Sequence, residues 1–331
     1  MTTTVLLPST ETPLSHESAA EAFGAILDGK ASEEAIIAFL VGLTERGETS
    51  IEIAEAARAM RQRMVPIDAP RGAIDVCGTG GDGHHTLNVS TAVSLVVAAT
   101  GVPVAKHGNR AASSKAGAAD TLEALGLDMM RAGAMAEQTL ADIGIAFLFA
   151  GNHHPAMRRI QPLRQKIGRR TVFNLMGPLA NPAHVERQLI GIARPDYAPL
   201  YAEALESLGA TAAAVIAGEE ELDEISIAGP TRVVRIGSVA LPDRITPADA
   251  GLPASPLDAL RGGDPAHNAL ALRRLLAGEE SAYRDAVLLN AAAALVIADK
   301  VSDLAEGAVL AANTIDSGAA RRLLDAWIAY A

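Results

Sequence analysis

The sequence is poor in the residues that mark several common classes of protein. It has one cysteine, Cys77, among 331 residues, so no internal disulfide can form, which fits a reducing cytoplasm. Aromatic residues make up 3%, too few for the stacking platforms that hold single-stranded nucleic acid. Cations are outnumbered: 28 Lys+Arg against 39 Asp+Glu give a formal net charge of −11, the wrong sign for gripping a polyphosphate backbone by bulk charge. Long apolar runs are missing as well. The two most apolar windows, 92–105 and 286–298, are interrupted by Gly101 and Pro103 and by Asn290, and both fall short of the ~20 residues that span a bilayer. The N-terminus has no basic segment leading into an apolar one, so it does not read as a secretory signal. The expectation is a cytoplasmic protein with no membrane or nucleic-acid partner, in which any anion is held by a local site.

What is present is core material. Hydrophobic residues make up 49% and mean hydropathy is +0.20, enough for a sizeable interior. The first 66 residues read as helices alone. Ser15 and Ser32 stand where N-caps belong, and Thr49-x-x-Glu52 is a capping box. After Pro70 short β-branched runs (73–76, 102–105, 145–149, 189–193, 213–217, 231–236) alternate with amphipathic stretches such as 90–100, 134–143 and 197–208, the pattern of βαβ units. Residues 251–263 read as a loop, and four further helical patterns follow Pro265. The expected fold class is α/β: an α-helical N-terminal domain over 1–69, joined by helices near 155–185, and a large α/β domain over 70–331 with a mainly parallel central sheet and flanking helices.

Three segments carry chemistry. In Asp75-Val-Cys-Gly-Thr-Gly-Gly-Asp-Gly83 a strand ends on glycines that let the backbone turn sharply and approach a ligand. Thr86, Asn88, Ser90 and Thr91 follow where a helix should start, and the free N–H groups and positive dipole of that end form an anion site. An ordinary Gly-rich turn with an N-cap is the bland alternative. The spacing is neither the dinucleotide fingerprint nor a Walker loop. Second, the strand 102–105 runs into Lys106-His-Gly-Asn-Arg-Ala-Ala-Ser-Ser114, cations and hydroxyls at a strand's C-terminal end, where open α/β sheets bind ligands. Lys106 and Arg110 can neutralise phosphate while Ser113 and Ser114 donate hydrogen bonds. Third, Glu219-Glu-Glu-Leu-Asp-Glu224 follows a buried strand. It is either a solvated acidic face or, through Asp223 and Glu224, a pair of hard oxygen ligands for Mg²⁺ against a polyphosphate.

Taken in order, G-T-G-G-D-G with T-x-N-x-S-T, K-H-G-N-R-x-x-S-S, P-x-R at Pro162–Arg164, F-N-x-x-G-P-L-x-N-P at Phe173–Pro182 and L-D-E-I-S at Leu222–Ser226 resemble the anthranilate phosphoribosyltransferase family. The resemblance implies a small helical domain and a large α/β domain with the active site in the cleft between them. It implies transfer of the phosphoribosyl group of 5-phosphoribosyl 1-pyrophosphate to the amino group of anthranilate, an early step of tryptophan biosynthesis. Gly78, Gly81, Asp82, Thr86, Asn88, Val89, Ser90, Thr91 and the loop Lys106, His107, Gly108, Asn109, Arg110, Ala111, Ala112, Ser113, Ser114 would surround the donor. Gly78, Asn109 and Arg164 would meet anthranilate, the Arg164 guanidinium facing its carboxylate. Ser90, Asp223 and Glu224 would hold Mg²⁺, two ions per active site, and the assembly would be a homodimer. No general base is assigned; His107 is a candidate.

The chain departs from the family pattern at Ala116 and Ala118, where the family commonly has serines near the phosphate, and at Glu221, which stands where a glycine often precedes Leu-Asp-Glu. Two other readings stay open: a pyrimidine nucleoside phosphorylase of the same superfamily, and a non-catalytic nucleic-acid-binding relative. Among the remaining residues, His84-His85 read as loop polarity because adjacent side chains point apart. His153-His154 read as capping or cleft lining, Cys77 as a small strand hydrophobe and Trp327 as packing. Of Arg158, Arg159, Arg169 and Arg170, most are expected in solvent.

Overall fold

The structure, a computed structural model, describes residues 5–111 and 115–330. The N-terminal helices are α1 (His16–Leu27), α2 (Glu33–Arg46) and α3 (Ser50–Arg61). Each begins at the expected cap: the hydroxyls of Ser15, Ser32 and Thr49 accept from the N–H groups of Ser18, Ala35 and Glu52. These bonds satisfy donors that the first helical turn leaves without an intrahelical partner. The bundle buries Phe23, Ile26, Leu40, Leu43 and Ile53 in one cluster with Ile160, Leu163, Phe173 and Leu179. Phe23 meets Phe39 and Phe173 edge-on, with ring centroids 5.7 and 6.3 Å apart. Truncating Phe23 to alanine would open a cavity at that junction, at a cost of about 3–5 kcal/mol.

Seven strands form one sheet: β1 (Ile74–Gly78), β2 (Val104–Gly108), β3 (Ile145–Phe149), β4 (Arg187–Gly191), β5 (Ala212–Gly218), β6 (Thr231–Ile236) and β7 (Arg244–Ile245), in the order β3-β2-β1-β4-β5-β6-β7. The first five are parallel; β6 and β7 run antiparallel at one edge. Side chains alternate between the faces, as strand geometry requires. Ile74 and Val76 of β1, with Ala214 and Ile216 of β5, join a cluster containing α4 (Val89–Ala99) and the helix Ala282–Ile297. Cys77 with Ala213, Val215 and Ala217 faces the helical bundle's cluster instead. With both faces covered, the strands read as near-continuous apolar runs.

The order determines where a ligand can sit. The chain moves from β1 outward through β2 to β3, then returns to place β4 on the other side of β1. The loops leaving the C-terminal ends of β1 and β4 therefore diverge, and open α/β sheets bind ligands in the crevice this leaves.

Three expectations need correction. Strand β2 extends through Gly108, three residues past the apolar run, with Lys106, His107 and Gly108 in register with Phe147, Leu148 and Phe149. Lys106 and His107 are thus buried strand residues, not loop residues. Their polar side chains hid the strand because they find buried partners that a hydrophobicity pattern cannot show. The stretch 134–143 is two helices, Met129–Ala134 and Ala136–Ile143, meeting at Met135, and the expected loop 251–263 contains a 3₁₀ turn at Leu257–Leu260.

Candidate active site

At the C-terminal end of β1 the chain makes the turn 79–88 before entering α4. Asn88 occupies the N-cap of α4, but its side chain does not cap. Its amide oxygen instead accepts from Asn268 (2.9 Å) and the Thr121 hydroxyl, and its nitrogen donates to the Ala116 carbonyl at 3.3 Å. The helix start is therefore held from the side, and its N–H groups are not covered by the cap residue. Buried near it, the hydroxyls of Thr79 and Thr91 have no hydrogen-bond partner among the described residues.

The acidic turn after β5 folds back over this opening. The Gly80 N–H donates to the Asp223 carboxylate at 2.7 Å, and the Ser90 N–H, in the first turn of α4, donates to Glu224 at 3.2 Å. This close approach demands glycine at two strand ends. A Cβ on Gly78 would lie 2.3 Å from Asp223 Oδ2, and one on Gly191, at the end of β4, 1.6 Å from the Asp223 carbonyl oxygen. Gly191 was not singled out in the sequence, where nothing near it carries chemistry; only the fold brings it against Asp223.

The half-buried Asp223 and Glu224 hold their protons above the usual carboxylate range. Desolvation is the main cause for both, followed by the neighbouring negative charge of Asp82 for Asp223 and of Asp223 for Glu224. Lys106 opposes the shift at Glu224. Lys106 is 3% exposed, and its ammonium donates to the Val76 carbonyl at 2.6 Å and the Ser90 hydroxyl at 3.2 Å. No group of three His, Cys, Asp or Glu side chains able to hold a metal occurs among the described residues, so a cation here needs oxygens from elsewhere.

Beneath the turn lies a second layer. Asp75 is fully buried and accepts from the Asn181 amide (2.8 Å), the His107 N–H (3.2 Å) and the Cys77 thiol (3.3 Å). Asn181 also donates to the Ala105 carbonyl at 2.8 Å. Burial raises the Cys77 thiol well above its ordinary value, so it stays protonated and is no nucleophile. His107 bonds through Nδ1 to the Gly177 carbonyl (2.8 Å), and its Nε2 lies 3.2 Å from His154 Nε2. Desolvation, then the opposing ring, lowers His107 to about 3; desolvation, then His153, lowers His154 to about 4. Both rings are neutral at physiological pH. The F-N-x-x-G-P-L-x-N-P segment thus acts as a buttress, with Gly177 and Asn181 bracing β1 and β2.

The remaining expected residues are placed as follows. Gly81 and Asp82 lie in the turn, Thr86 bridges to Arg261, Val89 is buried in the first turn of α4, and Gly108 closes β2. Asn109 is exposed and its side chain accepts from the Arg110 N–H at 2.8 Å. Arg110 is engaged by Asp120 and Glu123 at 2.9 and 2.7 Å and lies 5.9 Å from the Phe149 ring centroid. Ala111 donates its N–H to Asp120, while Ala112, Ser113 and Ser114 lie outside the described residues. Arg164, on the helix Met157–Ile167, is half-buried. Its pKa is lowered by desolvation and then by the charge of Arg170. Arg170 is a site neighbour that sequence reasoning passed over: it is half-buried and donates to the Gly81 carbonyl at 2.9 Å. His84 contacts the Glu220 carbonyl at 2.8 Å, while His85 is exposed. The two do not form a metal pair. Trp327 is buried in the core.

A helical bundle on an α/β sheet, with a glycine turn, a helix start and two carboxylates meeting at the switch point, is the layout of a glycosyl transferase that handles a phosphorylated sugar. Residues 9–64 match the helical bundle domain and residues 71–321 the α/β domain of a glycosyl transferase family. The chain is 65% identical over 326 residues to an anthranilate phosphoribosyltransferase of Novosphingobium aromaticivorans, covering 98% of each, and 64% identical over 328 residues to that of Sphingopyxis alaskensis, again covering 98% of each. Among solved structures it is similar to the anthranilate phosphoribosyltransferase of Thermus thermophilus (TM-score 0.92, 44% identity, 96% of each chain) and to that of Saccharomyces cerevisiae in complex with PRPP and Mg (TM-score 0.88, 29% identity, 96% of this chain and 93% of that one). The chain belongs to the anthranilate phosphoribosyltransferase family.

Proposed function

We propose that this protein transfers the phosphoribosyl group of 5-phosphoribosyl 1-pyrophosphate to the amino group of anthranilate, giving N-(5-phosphoribosyl)anthranilate and pyrophosphate, the second step from chorismate to tryptophan. The observation that carries the reading is the convergence, at the β1/β4 switch point, of the glycine turn, the uncapped start of α4 and the Asp223–Glu224 pair. The donor-side residues are Gly78, Gly81, Asp82, Thr86, Asn88, Val89, Ser90, Thr91 and the segment from Lys106 to Ser114. Asn109 and Arg164 face the acceptor. A guanidinium already stripped of part of its water is suited to a carboxylate, because a charge-assisted bidentate pair then costs less to form.

Magnesium fits the donor set. Asp223 and Glu224 are hard oxygen ligands whose charge burial penalises, and a bound cation would relieve that penalty. Ser90 would join them, with substrate phosphate completing a coordination sphere that the described side chains do not fill; two ions per site is the number proposed. When bound, the ion supplies electrostatic stabilisation to the departing pyrophosphate. The chain's own part is to hold the reactants. Backbone N–H groups of the turn and of α4 orient the donor, Arg164 aims the acceptor, and the neutral His107–His154 pair keeps β2's end in place. The aniline nitrogen attacks C1 as the C1–pyrophosphate bond breaks, so positioning dominates and no covalent enzyme intermediate is formed.

No helix among the described residues is long and apolar enough to cross a membrane. A cytoplasmic location, a homodimer and a division into 1–69 and 70–331 complete the proposal. Loss of anthranilate fluorescence on adding phosphoribosyl pyrophosphate and Mg²⁺ tests the function. Turnover of thymidine with phosphate and none of anthranilate would replace it with the phosphorylase reading, and salt-sensitive DNA binding without transfer with the nucleic-acid one.

A further inference from the structure

The cations that the sequence suggests for the donor's phosphates are largely committed elsewhere. Lys106 is tied beneath the turn to the Val76 carbonyl and the Ser90 hydroxyl. Arg110 is paired with Asp120 and Glu123. Around the turn stand Asp82, Asp223 and Glu224, and a polyphosphate would add to that negative charge. The guanidinium of Arg170, on the segment that follows the Arg164 helix, reaches the turn. One of its five N–H donors goes to the Gly81 carbonyl at 2.9 Å. No other hydrogen-bond partner and no ion pair of Arg170 occur among the described residues. Desolvation lowers its pKa, and its charge is attracted by Asp223 and Asp82 and repelled by Arg194. A Cβ on Gly81 would come within 2.3 Å of Arg170 Nη1, so the turn and the guanidinium are fitted to each other.

We infer that Arg170 is a donor-site residue: it holds the glycine turn by the Gly81 carbonyl and presents its remaining N–H groups to the pyrophosphate of the phosphoribosyl donor. The inference deepens the proposed function and rests on it. Planar guanidinium donors match phosphate oxygens two at a time, which an ammonium cannot do. Because pyrophosphate is also the leaving product, the same contact should govern its release.

The test is steady-state kinetics with Arg170→Gln and Arg170→Lys, alongside product inhibition by pyrophosphate with Mg²⁺. Arg169→Gln is the control, since Arg169 is exposed and, among the described residues, paired only with Glu45. Removing a charged hydrogen bond should raise the donor KM and the pyrophosphate inhibition constant about tenfold or more while leaving the anthranilate KM within a factor of two or three. Lysine should restore only part of the loss, and Arg169→Gln should match the wild type. Equal rises in both substrate KM values, or unchanged pyrophosphate inhibition, would overturn the inference. If Arg170→Gln does not fold, Arg170→Lys alone decides by the same split. Wild-type protein inert with anthranilate would instead defeat the proposed function, a result distinct from any variant ratio.

Discussion

Replacing Gly191 by alanine perturbs the site through one methyl group on a strand end that touches no substrate in the proposed reaction. The added Cβ would lie 1.6 Å from the Asp223 carbonyl oxygen and 2.3 Å from its carbonyl carbon, where real contacts essentially never fall below 3.0 Å. The atoms in the way are backbone, so no rotamer change relieves the clash. The Asp223 peptide must retreat by at least the 1.4 Å difference. It would draw the carboxylate off the Gly80 N–H and move Glu224 away from Ser90. A misplacement of about 1 Å in a positioning residue costs on the order of 100-fold in rate, or about 2.7 kcal/mol of transition-state stabilisation. Gly191 does not sit at positive φ, so alanine strains no backbone dihedral; the peptide that must move lies in a half-buried segment between the buried Leu222 and Ile225. In a variant that folds, shown by near-native circular dichroism, anthranilate-fluorescence kinetics should show kcat/KM down by about two decades and a higher Mg²⁺ requirement. A folded variant within threefold of wild-type kcat/KM would refute the claim that the acidic turn is positioned by the close approach of β4.

Three other outcomes follow from the same geometry. Arg164→Ala should raise the anthranilate KM by about tenfold or more, as expected for a lost charge-assisted contact, and the donor KM far less; equal effects would remove Arg164 from the acceptor side. Asp223→Asn with Glu224→Gln should flatten the dependence of turnover on Mg²⁺, and a retained wild-type Mg²⁺ titration would exclude the pair as ligands. His107 and His154 are held neutral, with folded values of about 3 and about 4 against an unfolded value near 6.5, so the unfolded chain takes up protons first as pH falls. The contribution of these two rings to stability should be level above pH ~6.5 and fall as pH drops from ~6.5 to ~4 for His154 and on to ~3 for His107, with His154 accounting for at most about 3 kcal/mol of the loss. Urea unfolding of wild type and His154→Gln across that range checks it, since the variant's curve should be the flatter one; parallel curves would mean that the buried ring does not couple to folding.

Parts of this arrangement are legible along the chain because they are local. Ser15, Ser32 and Thr49 announce the first three helices since a cap bonds to an N–H only two or three residues away. The glycine turn after β1 is visible for the same reason. Five motifs in family order make the activity readable before any contact is known. Other parts are not local. The end of β2 was invisible because Lys106 and His107 are polar, and what makes them strand residues is a carbonyl on β1, the buried Asp75 and the Gly177 carbonyl. Arg170 is one arginine among several in its segment, and nothing nearby distinguishes it. Its partner Gly81 is 89 residues away.

The sequence by itself determined the helix starts, the βαβ rhythm, the glycine turn and the acidic pair, all properties of residues close together along the backbone. The tertiary structure decided which charges are free to act. It buried Lys106, committed Arg110 to Asp120 and Glu123, brought Arg170 to Gly81 and pressed Asp223 against the glycine ends of β1 and β4. The physical reason is that a charge acts over a few ångströms of space. Only the strand order, with β4 returning to lie beside β1, sets which charges share that space.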